Sequence, residues 1–73
     1  MSKVKVIVAN VPQEVEEGAN TAETIQQLAA NCHLSNFTLM IDGNYIEEGD
    51  TIPESITKEF SGRIALVPYD RAA

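Results

Sequence analysis

Four structural signals fall in one order along this chain, and that order restricts its fold more than any single residue does. Lys3 to Ala9 alternates Lys3 and Lys5 against Val4 and Val6 and is rich in β-branched residues, as a half-buried strand requires. A weaker strand is predicted at Gln13–Glu17, after a break at Asn10-Val11-Pro12. A helix opens at Asn20, and a hairpin and a closing strand follow it. In Phe37 to Ile46 the pair Asp42-Gly43 supplies the two positive-φ positions of a type I′ turn, the strongest local signal in the chain. Arg63 to Val67 reads as the last strand, stopped by Pro68.

The helix has a chemical start and a defined face. Asn20 is a good N-cap, and Glu23 stands at the capping-box spacing. Ile25, Leu28, Ala29 and Cys32 recur at i, i+3, i+4 and i+7, one face of a helix over 21–32, with Gln26, Gln27 and Asn31 pointing away. Between the hairpin and the last strand, Thr51 to Phe60 is ambiguous. One helical turn over Pro53–Thr57 would let Ile52, Ile56 and Phe60 cover the sheet. The expected core is Val4, Val6, Val8, Val15, Ile25, Leu28, Ala29, Cys32, Leu39, Ile41, Ile56, Ile64 and Leu66. Residues 1–68 are expected to form one domain, with 69–73 a flexible C-terminal tail.

Size and charge narrow the function classes. Seventy-three residues bury a smaller share of their surface than a large domain does, leaving little room for a deep substrate cavity. The net charge of −6, from eleven acidic and five basic residues, argues against nucleic-acid phosphates and anionic membranes, which select clustered Lys and Arg. It favours encounter with a protein partner carrying a basic surface. Cys32 is the single cysteine, so no internal disulfide framework is possible. No stretch approaches the ~20 apolar residues of a membrane span. The start Met1-Ser2-Lys3 leads into strand alternation rather than an apolar signal core, and a cytoplasmic location is expected.

Each constellation that could carry chemistry has a plainer reading. Cys32 and His33 are neighbours, but adjacent helical positions point about 100° apart and do not face each other. Cys32 continues the apolar stripe and reads as core, while His33 sits near the helix C-terminus. One His and one Cys cannot complete a four-ligand zinc site. Glu14, Glu16 and Glu17, with Glu47, Glu48 and Asp50, read as a solvated acidic face that could dock on a basic partner. Tyr45 and Phe60 are expected to be buried at least in part, whereas Tyr69, beyond Pro68, is a candidate interface anchor. Gly18, Gly43, Gly49 and Gly62 are isolated turn glycines, so no phosphate loop is present. Catalytic, cofactor and metal sites are therefore not expected.

The strand–strand–helix–strand–strand order is that of the β-grasp, an α+β fold in which a mixed sheet of about four strands wraps one helix. Within that fold, Glu14-Val15-Glu16-Glu17-Gly18-Ala19-Asn20-Thr21-Ala22-Glu23-Thr24-Ile25 resembles the strand-to-helix passage of the ubiquitin-like sulfur carriers of thiamine and molybdopterin synthesis. Met40 to Tyr45 is similar to their Val-Asn-Gly-Glu hairpin, and Ser61 to Val67 to their Asp-Gly-Asp strand start. The likeness spans most of the chain. It implies a protein whose C-terminal carboxylate is activated by an adenylating enzyme. Those carriers end in Gly-Gly, whereas this chain has Arg71-Ala72-Ala73, and two Cβ atoms obstruct a close backbone approach.

The leading expectation is a non-enzymatic, ubiquitin-like interaction module or small complex subunit that binds a protein. The alternatives are a carrier activated at its C-terminus and an acidic decoy that inhibits a nucleic-acid-binding enzyme.

Overall fold

The computed structural model of the chain describes residues 2–47 and 49–69. Five strands, β1 (Lys3–Val8), β2 (Val11–Glu16), β3 (Phe37–Ile41), β4 (Asn44–Ile46) and β5 (Ile64–Pro68), form one mixed sheet in the order β2-β1-β5-β3-β4. One α-helix among the described residues, α1 (Thr21–Asn31), packs on one face of it. This is an α+β fold in a β-grasp-like arrangement, with five strands where about four were expected.

The first and last strands are neighbours at the centre. β1 and β5 pair in parallel, with Val6 opposite Ile64 and Val8 opposite Leu66. All other pairings are antiparallel. Strand alternation then sorts the faces. Val4, Val6 and Val8 of β1, Ile64 and Leu66 of β5 and Ile41 of β3 point inward and are buried against Ile25, Leu28 and Ala29 of α1. Val15 and Leu39, both expected in the core, are half-buried against it.

The β1–β2 connection is tighter than the sequence suggests. Val8 pairs with Val11, so the turn is only Ala9-Asn10, with φ of +50° and +70°. Pro12 lies within β2 instead of interrupting it. Because β2 is an edge strand, the missing N–H costs no ladder bond there. The β3–β4 turn is Asp42-Gly43 as predicted, with φ of +53° and +81°.

The Asn20 side chain accepts a hydrogen bond from the Glu23 N–H at 3.0 Å, which caps α1. The helix ends at Asn31, one residue earlier than the apolar period implies. His33 turns the chain at φ +54°; its N–H donates to the Ala30 carbonyl at 3.2 Å, and the Leu34 N–H donates to Ala29 at 2.8 Å. Those two bonds are a Schellman motif, which satisfies the last carbonyls of the helix. Cys32 is consequently exposed, not core, and half-buried Leu34 makes the apolar contact below it.

The segment over Pro53–Thr57 is extended, not helical. Ser55 bridges Asn20, Thr21 donates its N–H to Glu54 at 3.1 Å, and Ile56 bonds both Gly18 and Ala19. Those bonds hold the backbone straight and drive Ile56 fully into the core. The helical turn falls later, as a 3₁₀ turn over Lys58–Phe60. It is held to β1 because the Gly62 N–H donates to the Lys5 carbonyl at 2.9 Å and the Lys5 N–H to Ser61 Oγ at 3.2 Å.

Candidate interaction surfaces

The helix covers one face of the sheet and leaves the other open. Residues that alternate with the core positions populate that open face: Ile7 of β1, Thr38 and Met40 of β3, Tyr45 of β4, and Ala65 and Val67 of β5. Tyr69 keeps the phase of Val67, and its N–H extends the pairing by donating to the Asn36 carbonyl at 3.3 Å. Tyr45 and Tyr69 are 59% and 47% exposed. Together with Thr38, Ile46, Glu47 and Val67 they enclose an open depression of about 580 Å³. Burial of Tyr45 was expected and does not occur, because its register opposite Met40 turns the ring away from the helix. Phe60 is half-buried against the core.

The five candidate carboxylates among the described residues do not form one face. Glu14, Glu16 and Glu17 lie on or just after β2, whereas Glu47 and Asp50 follow β4, at the opposite edge of the sheet. Glu48, Arg71, Ala72 and Ala73 lie outside the described residues. The Asp50 carboxylate accepts the Glu47 N–H at 2.8 Å, while the Asp50 N–H returns to the Glu47 carbonyl at 3.0 Å, so Asp50 closes its own loop. On β2, register places Lys3 opposite Glu16 and Lys5 opposite Glu14. Lys3 Nζ reaches Glu16 Oε1 at 2.9 Å. That hydrogen bond, followed by the charge of Glu16, raises the Lys3 pKa above 10.5.

A second depression, of about 310 Å³, lies between β2 and α1. Val15, Ala19, Thr24 and Leu28 contribute to its wall, with Glu14 and Glu16 at the strand side. Sequence reading misses both depressions, since each depends on which strands are adjacent. The open face could have been traced from Thr38 and Met40 alternating with Leu39 and Ile41.

No group of three or more His, Cys, Asp or Glu side chains among the described residues is placed to hold a metal. Among the same residues, no helix is long and apolar enough to cross a membrane. The molecule is thus a small α+β domain whose most distinctive surfaces are an aromatic-rimmed sheet face and a charged sheet edge. Comparison with known proteins gives no match to a family model, a curated protein or a solved structure.

Proposed function

We propose that this chain is a non-catalytic, ubiquitin-like protein-binding module that docks through its open sheet face. The observation that carries this reading is the pair Tyr45 and Tyr69, two large side chains left in solvent on either side of Val67 and Thr38. Exposed tyrosines bring large contact area with few rotatable bonds, and each keeps a hydroxyl for the partner. The acidic balance of the chain favours a partner with a basic surface. The split of the carboxylates between two edges favours this reading over a nucleic-acid decoy, which needs a continuous acidic face. The carrier reading rests on resemblance alone.

The test compares the N-terminally tagged chain with a Tyr45→Ser/Tyr69→Ser double variant as baits in lysate of the source cell, with intact mass read on the recovered bait. A protein retained by the parent and lost by the folded double variant supports the module. Equal retention by both moves the docking surface elsewhere. A C-terminal adduct on the bait, or an adenylating enzyme in the eluate, would replace the module with the carrier.

A further inference from the structure

The edge strand β2 presents backbone groups in a definite phase. Val8 and Val11 flank a two-residue turn and form a hydrogen-bonded pair, and bonded and non-bonded pairs then alternate along the hairpin. Val11, Gln13 and Val15 therefore bond to β1, while Pro12, Glu14 and Glu16 turn their backbone groups outward. The far end of the hairpin agrees, since the Glu17 N–H donates to the Ser2 carbonyl at 3.2 Å. Pro12, with no N–H to give, sits in the outward phase. Among the described residues Glu14 has both groups free at the edge, and Glu16 has its N–H, its carbonyl being taken by Ala19 at 3.2 Å.

Directly beside this edge, on the helix side of the sheet, lies the 310 Å³ depression. On the other side stand the Glu14 and Glu16 carboxylates. A strand added at the edge would alternate in the same way. Residues opposite Glu14 and Glu16 would share their face, and the residues between would lie over Val15, Thr24 and Leu28.

We infer that β2 is a docking edge for an extended peptide segment in which basic residues alternate with branched aliphatic ones. Charge selects this occupant. Lys3 engages Glu16, while Glu14 and Glu17 have no ion-pair partner among the described residues. A second copy of the same edge would set glutamate against glutamate, which destabilises a strand pair. A basic partner strand reverses that sign, and its aliphatic side chains fill the depression. This surface is separate from the open sheet face, so the two readings stand or fall independently.

The experiment is a titration of the ¹⁵N-labelled chain with a seven-residue peptide of alternating Lys and Val, followed by amide shifts and amide exchange. Lys–Ser and Glu–Val peptides of the same length are the comparisons. The expected result is a shift of the Glu14, Val15, Glu16, Thr24 and Leu28 amides, with slowed exchange at Glu14 and Glu16. Glu14→Lys weakens the Lys–Val peptide by about tenfold. So does Gln27→Lys on the exposed helix wall, a substitution that leaves the strand untouched. Tyr45→Ser leaves binding unchanged. The inference is overturned if the Lys–Ser peptide binds equally well, if shifts fall on Tyr45 and Tyr69 instead, or if about 1 mM Lys–Val peptide moves nothing.

Discussion

Ile56 donates its backbone N–H to the carbonyl of Ala19 at 2.8 Å, and its side chain is completely buried although it belongs to no helix or strand. The long segment between β4 and β5 is thereby fastened to the short connector between β2 and α1. Gly18 completes the clasp by donating its N–H to the Ile56 carbonyl at 2.7 Å. One residue thus serves both as a hydrophobic plug and as a backbone bridge.

Ile56→Ala is expected to cost about 2–5 kcal/mol, the range for emptying a fully packed aliphatic site. Urea unfolding followed by circular dichroism checks it. The backbone bonds survive the substitution, so the loss reports packing alone. A change below about 1 kcal/mol would mean that the segment collapses onto the vacated space.

Ala9 holds a φ of +50°, where an L-residue without a polar side chain is disfavoured. Its methyl group is exposed and contributes nothing to the core. Ala9→Gly is expected to stabilise the protein by about 0.5–1 kcal/mol, which raises the Tm by roughly 2–8 °C in a domain of this size. Differential scanning calorimetry reads this directly, and a lowered Tm would show that the turn is not strained.

Cys32 is expected to react with a thiol reagent in native buffer as completely as in denaturant, since it lies outside the helix on the surface. Cys32→Ser should change stability by less than about 0.5 kcal/mol. A thiol protected until unfolding would return Cys32 to the apolar face.

The Lys3–Glu16 pair has a defined pH signature. Folding raises the Lys3 pKa, so its contribution is complete below 10.5, the ordinary value, and is lost as pH climbs through the higher folded value. Comparing the parent with Lys3→Met by chemical denaturation, the difference is expected to persist at neutral pH and to vanish in strong alkali. Added salt should shrink it as well, because both side chains are about half exposed.

The parts of this structure that can be read from sequence are those imposed by local chemistry. Asp42-Gly43 must supply positive φ, Asn20 must accept an orphan N–H, and Ile25, Leu28 and Ala29 must share a face. The parts that cannot be read depend on neighbours distant in sequence or on unusual turn residues. Ala9-Asn10 carries no strong turn signature, so the first hairpin looks broken where it is in fact tight. Cys32 satisfies the helical period, but a histidine at positive φ ends the helix before the period can apply. Tyr45 has the composition of a core residue, and only its register with Met40 exposes it. The candidate surfaces are the least legible, because they are set by which strands are neighbours.

The parallel pairing of β1 with β5 also decides how the domain would meet mechanical force. Tension applied at Lys3 and Pro68 pulls these two central strands past one another along their length. Their hydrogen bonds are then loaded together in shear, not opened singly like a zipper. Such an arrangement resists extension between its ends far better than traction applied across the β3–β4 hairpin, where the bonds part in succession.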